Sequence, residues 1–175
     1  MQRVHVIGGP GSGKTTLARR LSARLGAEAF DLDEVAYVGG AGAERSPADR
    51  RVSLEAILAK PAWVTEGIYV SWIDGLLESA DAIVWLDVSW RIAAWRIVVR
   101  HVRASLAGTN RHPGWLLLLR FLRSTRRYYL DAAAVEEAEG VTRARTVRQL
   151  ERYADKVVRC LSTRDVRLFL ERARL

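Results

Sequence analysis

Cysteine, lysine and long apolar runs are scarce in this chain of 175 residues. The single cysteine, Cys160, permits no disulfide within the chain, and its apolar surroundings predict a buried structural thiol. The apolar run at residues 115–122 is interrupted by Arg120 and is shorter than a membrane span. No signal peptide precedes the first predicted strand. These absences favour a cytoplasmic protein over a secreted or membrane-embedded one.

Composition predicts one globular domain over residues 1–175, since 49% of the residues are hydrophobic and 27% are charged. The net charge is +8, and only three of the 28 basic residues are lysines. The guanidinium group of arginine presents a planar fork of donors that matches phosphate oxygens. The basic surplus therefore fits a nucleotide, a polynucleotide or a solvated surface, and by itself it does not separate these alternatives.

Short apolar runs alternate with segments of helical periodicity along the chain. The predicted strands cover residues 4–7, 28–32, 62–66, 82–87 and 156–161. Strands that alternate with helices indicate βαβ units and a parallel sheet, so the predicted fold class is α/β. A long helix is expected at about 89–107 and another at about 115–129, and the segment of about 103–131 is the candidate for an inserted lid.

The stretch "GGPGSGKTT" has the G-x-x-x-x-G-K-T spacing of a phosphate-binding loop between a strand and a helix. Its candidate nucleotide-binding residues are Gly8, Gly9, Pro10, Gly11, Ser12, Gly13, Lys14, Thr15 and Thr16. Glycines let backbone N–H groups approach phosphate oxygens, and the helix that follows directs its positive end at them. Lys14 is expected to reach the β- and γ-phosphates of ATP, and the Thr15 hydroxyl to ligate Mg²⁺. A dinucleotide fingerprint would require a glycine in place of Lys14 or Thr16.

Three carboxylates lie at the carboxyl ends of predicted strands: Asp33 follows the second strand, Glu66 ends the third and Asp87 ends the fourth. Ligands bind at the carboxyl edge of such sheets, and phosphoryl transfer needs one carboxylate for Mg²⁺ and often another to orient the attacking hydroxyl. Glu66 is the first candidate for the metal because Gly67 permits close approach, and Asp33 is the next. A helix cap or a solvated surface is the alternative for each acid, and Asp87 is also placed to cap the helix that begins near Ser89.

Arginines recur at helical spacing in the second half of the chain, in a first group of Arg96, Arg100 and Arg103 and a second group of Arg120, Arg123, Arg126 and Arg127. Two basic faces joined by a polar turn are typical of a lid that closes over a triphosphate. Arg96 and Arg100 are therefore expected to neutralise the transferring phosphoryl group. The alternative is a solvated face whose arginine stems cover apolar neighbours.

The tryptophans divide into two groups by their surroundings. Trp63, Trp85 and Trp95 lie in apolar patterns and are predicted to be part of the core. Trp72 and Trp115 lie in loops or at helix starts, where they would line a substrate pocket.

The order of these motifs resembles the adenylate-kinase-like P-loop kinases over residues 1 to about 170. Within them, "LDEV" and "WVTEGIY" look most like the bacterial DNA topology modulation proteins. The resemblance implies a three-layer fold with five parallel strands in the order 2-3-1-4-5, a helical lid, and ATP and Mg²⁺ at the loop. It also implies that Glu66-Gly67 serves the magnesium, that Arg96 and Arg100 enter the lid, and that residues 162–165 pack on adenine.

Three departures from the family pattern concern the acceptor. Strand three ends Glu66-Gly67-Ile68-Tyr69, where the topology modulation pattern has Asp-Gly-Asn-Tyr, so an amide contact is lost. The arginine-glycine pattern that holds AMP is missing from residues 34–60, and the glycine-rich motif of shikimate-type kinases does not follow strand three. These departures argue against a nucleoside monophosphate kinase.

The sequence thus predicts a phosphotransferase that moves the γ-phosphoryl group of ATP to the hydroxyl or phosphate of a small molecule. Lys14, Asp33, Arg96 and Arg100 are the candidate catalytic residues, with Asp33 orienting or deprotonating the acceptor. One alternative is a nucleotide-binding regulator that acts on DNA and uses the arginine surplus for backbone contacts. A plain ATPase is the other alternative.

Overall fold

A computed structural model describes residues 1–110, 113–130 and 141–172. Its five strands are β1 (Arg3–Gly8), β2 (Glu28–Asp31), β3 (Trp63–Gly67), β4 (Ala82–Leu86) and β5 (Val157–Cys160). All neighbouring pairs are parallel, and the order is β2-β3-β1-β4-β5, which confirms the predicted topology. The three central strands are almost entirely buried, as expected for a parallel sheet covered on both faces.

The described part of the chain contains eight α-helices and a short 3₁₀ helix at Val38–Gly40. The α-helices are α1 (Lys14–Leu25), α2 (Leu32–Ala36), α3 (Pro47–Leu58), α4 (Asp74–Ser79), α5 (Trp90–Leu106), α6 (Trp115–Leu130), α7 (Arg143–Glu151) and α8 (Thr163–Arg172). None of the described helices is both long enough and apolar enough to span a membrane.

The sheet is covered by helices on both faces, which gives three layers. On one face, α1 and α8 pack against Val4, Val6 and Val84 and their neighbours. On the other face, α2, α3, α4 and α7 enclose a second core around Ile7 and Ile83. Burial of these apolar surfaces is the main favourable contribution to the free energy of folding. The layered sheet also fixes the carboxyl ends of β1 and β3, where the candidate site lies.

One polar pair lies inside the sheet. His5 on β1 is opposite Thr65 on β3, and both are fully buried. Their Nδ1 and Oγ1 atoms are 2.9 Å apart, so each side chain has a hydrogen-bonding partner. Burial, with a smaller contribution from the charge of Lys14, lowers the pKa of His5 to about 3. The imidazole is therefore neutral in the folded protein at physiological pH.

Several local expectations are confirmed and one is wrong. Trp63, Trp85 and Cys160 are buried, as predicted. Burial and the charge of Asp165 raise the pKa of the Cys160 thiol to about 11, in keeping with a structural role. Trp95, however, is 69% exposed, because α5 turns Ala93 and Ile97 inward and presents Trp95 on a different face. Its apolar neighbours in sequence therefore do not place it in the core.

Candidate functional site: the phosphate loop and its cavity

A cavity of about 660 Å³ lies at the carboxyl edge of the sheet, where β1 leads into α1. Residues 10–17 form one wall, so Lys14, Thr15 and Thr16 all line it. Gly13 caps the N-terminus of α1 with φ of 102°. This left-handed conformation strains any residue with a Cβ, which explains glycine at this position. The cavity therefore faces the positive end of α1, where anions bind readily.

The first two glycines of the motif, Gly8 and Gly9, lie behind the residues that line the cavity. A Cβ at Gly8 would lie 2.7 Å from the carbonyl oxygen of Leu86 on β4. A Cβ at Gly9 would overlap the ring of Tyr128 and lie 2.7 Å from Cζ of Tyr129. These glycines let β4 and α6 pack tightly against the back of the loop.

Two carbonyl groups of the loop are held by side chains from outside it. The hydroxyl of Tyr129 on α6 donates a 3.0 Å hydrogen bond to the carbonyl oxygen of Pro10. Nη1 of Arg96 on α5 donates a 2.6 Å hydrogen bond to the carbonyl oxygen of Ser12. The conformation of the loop is thus supported by helices α5 and α6.

Lys14 is the central cation of the cavity. Lys14 is partly buried, and burial lowers the pKa of its ammonium group, although the charges of Glu66, Asp33 and Asp31 oppose this shift. The positive charge of Arg100 acts in the same direction as burial. Carboxylates of β2, α2 and β3 favour the charged form of this ammonium group. A phosphate group in the cavity would provide a further anionic partner.

Glu66 and Thr15 are directly joined. The Thr15 hydroxyl donates a 2.5 Å hydrogen bond to Oε1 of Glu66. Burial raises the pKa of Glu66, whereas the Thr15 hydrogen bond and the Lys14 charge oppose the shift. The space beside Gly67 is filled by the Leu32 side chain, since a Cβ there would lie 2.9 Å from Leu32 Cβ. That glycine therefore admits α2, which the sequence did not predict.

Asp33 lies on α2 and lines the same cavity. One of its carboxylate oxygens, Oδ1, accepts a 2.8 Å hydrogen bond from the hydroxyl of Tyr69. Asp31 caps α2 through a 2.9 Å hydrogen bond from the Asp33 amide, and it also lines the cavity. Burial is the main reason that the pKa of Asp31 is raised. Asp31, Asp33 and Glu66 thus line the same cavity as the loop, and Glu66 touches it through Thr15.

Asp87 does not belong to this group. It is buried, and its carboxylate accepts hydrogen bonds from Arg143 at 2.7 Å and from Arg159 at 2.5 Å. Burial alone would raise the pKa of Asp87, but the two guanidinium groups outweigh this effect and lower it. Asp87 therefore joins α7 and β5 to the end of β4 and does not line the cavity.

Arg96 and Arg100 both line the cavity, whereas Arg103 lies on the adjoining surface of α5. Nη2 of Arg96 is 3.3 Å from the hydroxyl of Thr163. This contact brings Arg96 toward the start of α8, where Ser162 and Thr163 also line the cavity. The segment expected to pack on adenine is therefore at the same cavity as the loop.

The structure describes most of the predicted lid segment. The predicted insertion of about 103–131 contains the end of α5 and the whole of α6, and Phe121 of α6 lines the cavity. Arg111, His112 and residue 131 are outside the described residues.

The two remaining tryptophans pack on other aromatic rings. Trp72 packs on Tyr69 at a ring distance of 4.8 Å, and Trp115 packs near His101 at 5.7 Å. Neither tryptophan is among the residues that line the cavity.

Sequence reasoning missed several residues that the fold brings to this site. Asp31, Tyr69 and Phe121 are examples, together with Tyr129 behind the loop. Asp31 precedes Asp33 by two residues, so its position near the end of a strand was a signal. The contacts of Tyr69 and Tyr129 join residues 36 and 119 positions apart, and no local pattern reports them.

Two solved structures share the arrangement of the chain. A gluconokinase from Sinorhizobium meliloti 1021 aligns with a TM-score of 0.52 and 18% identity, over 98% of this chain and 92% of that one. A shikimate kinase from Bacteroides thetaiotaomicron aligns with a TM-score of 0.50 and 13% identity, over 98% of this chain and 95% of that one. The chain has the fold of the P-loop kinases. At these identities the likeness shows the fold alone. A scan against protein-family models finds no match, and a search of curated proteins finds no similar sequence.

Proposed function

We propose that this protein is an ATP-dependent kinase that phosphorylates the hydroxyl or phosphate of a small molecule. The observation that carries the proposal is the composition of one cavity. The cavity is lined by the phosphate loop with Lys14, by three carboxylates, and by Arg96 and Arg100. A carboxylate in addition to the one proposed for Mg²⁺ suits a site that also orients an acceptor hydroxyl. The resemblance to the DNA topology modulation proteins agrees with this kind of site.

The donor set at Thr15 and Glu66 fits magnesium. Among the described residues there is no cluster of three or more His, Cys, Asp or Glu side chains that would hold a metal by themselves. Mg²⁺ in phosphoryl-transfer sites is held by one or two carboxylates, by water and by the phosphates of the substrate, so a complete protein cage is not required. The hydroxyl of Thr15 and the carboxylate of Glu66 are the proposed protein ligands. When bound, Mg²⁺ would offset the negative charge of the phosphoryl group.

Each residue of the cavity has a role in this proposal. Lys14 and the loop amides hold the β- and γ-phosphates, while Arg96 and Arg100 stabilise charge that develops during transfer. An oxygen of the acceptor bonds to the γ-phosphorus as the bond from that phosphorus to the departing ADP breaks. Where the acceptor is a hydroxyl, its proton passes to Oδ2 of Asp33. Oδ1 of the same carboxylate accepts the hydrogen bond from Tyr69. Residues 103–131 form the proposed lid that excludes water.

The test is ADP formation over a panel of acceptors that includes sugars, hydroxy acids, nucleosides and phosphomonoesters. The wild-type protein is expected to form ADP only with one chemical class, and Lys14→Ala is expected to form none. Asp33→Asn is expected to bind ATP normally and to lose transfer by about 100-fold or more. An unchanged rate for Asp33→Asn would show that Asp33 is not the base.

The same assay, together with a titration of DNA binding against salt, separates the two alternative functions. ADP release at one rate with and without every acceptor would identify a plain ATPase. Strong DNA binding that falls steeply with salt, without acceptor-dependent ADP, would identify a regulator that acts on DNA.

A further inference from the structure

The outer face of α6 exposes large apolar side chains to water. Leu116 is 77% exposed, Leu119 is 54% exposed and the neighbouring Trp115 is 64% exposed. Arg120 and Arg123 continue the same face at helical spacing, and both are exposed. Clusters of exposed apolar side chains next to polar ones mark interaction surfaces. We refer to these five residues as the α6 outer face.

The α6 outer face is separate from the catalytic cavity. Leu118 is buried on the opposite side of the helix. Leu117 and Phe121 line a smaller cavity of about 530 Å³ between α5 and α6. A movement of α6 toward the phosphate loop would cover Leu117 and Phe121, but it would leave Leu116 and Leu119 in water. Closure over a substrate therefore does not explain the outer face.

The charged side chains of α6 are all of one sign. Helices α5 and α6 each carry four arginines, and neither contains an aspartate or a glutamate. Leu106, at the end of α5, is also strongly exposed. Interfacial helices typically combine basic residues with tryptophan and leucine, because the apolar groups enter the acyl region while the cations meet anionic headgroups.

We propose that the α6 outer face docks on the surface of an anionic lipid bilayer. Trp115, Leu116 and Leu119 enter the boundary of the acyl chains, and Arg120 and Arg123 reach back to phosphate headgroups along their flexible stems. A bilayer fits better than a protein partner for two reasons. The apolar residues occupy the first two turns and the arginines follow them along the helix. This order suits a bilayer surface, where acyl chains give way to charged headgroups over a short distance. Helix α6 itself contains no acidic side chain that would oppose an anionic surface.

The test is cosedimentation of the full chain with vesicles of phosphatidylcholine alone and with vesicles that also contain phosphatidylglycerol. Binding to the anionic vesicles is expected to be at least about tenfold stronger and to weaken with salt. Leu116→Asn is expected to reduce this binding about tenfold. Val52→Asn is the matched control, since Val52 on α3 is 63% exposed and follows Arg50 and Arg51 in the chain. Thermal unfolding of both variants verifies that they fold like the wild type.

Three results would overturn the proposal. Failure to sediment with anionic vesicles at low salt would exclude the bilayer. Equal binding by Leu116→Asn and Val52→Asn would show attraction by net charge without any role for the α6 outer face. A dimer that Leu116→Asn dissociates, in a protein that ignores vesicles, would assign the face to a second copy of the chain.

Discussion

The Thr15 hydroxyl and the Glu66 carboxylate meet at 2.5 Å, joining the first turn of α1 to the end of β3. We predict that Glu66→Gln raises the Mg²⁺ concentration needed for tight ATP binding by about 10- to 100-fold. The amide still accepts the Thr15 hydrogen bond, so the loss reports the missing charge. Titration of ATP binding with Mg²⁺ measures the effect. Glu34→Gln is the control, since Glu34 is exposed and does not line the cavity; an equal shift in both variants would contradict the assignment.

The Tyr129 hydroxyl supports the phosphate loop through Pro10. Tyr129→Phe is expected to weaken ATP binding several-fold and to lower the free energy of unfolding by about 0.5–1.5 kcal/mol. Tyr128→Phe removes a neighbouring hydroxyl that faces Thr146 at 3.4 Å and not the loop. Calorimetric ATP titrations of the two variants should therefore differ. Identical nucleotide affinity in both would show that the Pro10 contact does not position the loop.

The buried carboxylate of Asp87 is held by Arg143 and Arg159. We predict that Asp87→Asn lowers the free energy of unfolding by about 1–3 kcal/mol at neutral pH, since both guanidinium groups reach solvent and lose only part of their interactions. The pKa of Asp87 is lowered on folding, so its contribution is present above about pH 4 and is lost as the pH falls further. Denaturant titrations should show the difference from wild type shrinking below that pH. A constant difference would contradict this linkage.

His5 also makes the free energy of unfolding depend on pH, but as a buried base and not as a paired acid. Its pKa is lowered to about 3 in the folded state, whereas an unfolded histidine titrates near pH 6.5. Below about pH 6.5 the unfolded chain therefore binds a proton that the folded protein does not, and stability falls by about 1.4 kcal/mol per pH unit toward pH 3. In His5→Gln that contribution to the slope should vanish between pH 4 and 6.5, whatever its stability at neutral pH. Parallel slopes for variant and wild type would place the histidine in contact with water.

The central sheet and the loop could be predicted because their signals are local. The apolar runs and the loop motif around Gly13-Lys14 each span only a few neighbouring residues, and the loop does lie between β1 and α1. The short helices α2 and α4 were missed because five and six residues do not display a helical period.

The composition of the cavity was harder to predict from the sequence than the loop. In the sequence, Asp87 resembles Glu66 as an acid at the end of a strand. Its carboxylate is instead bound by Arg143 and Arg159, which are 56 and 72 positions away. Trp95 illustrates the same limit, because its exposure depends on which face of α5 the sheet covers.

The central claim is that the loop holds the triphosphate of ATP, and calorimetric titration with Mg²⁺ and ATP tests it most directly. The wild-type protein is expected to bind one ATP, and Lys14→Ala to bind at least about 100-fold more weakly because a buried charge-assisted contact is lost. Lys60→Ala, which removes an exposed lysine paired with Glu28, should bind ATP like the wild type. Absence of ATP binding by the wild type, or equal binding by Lys14→Ala and Lys60→Ala, would contradict the account.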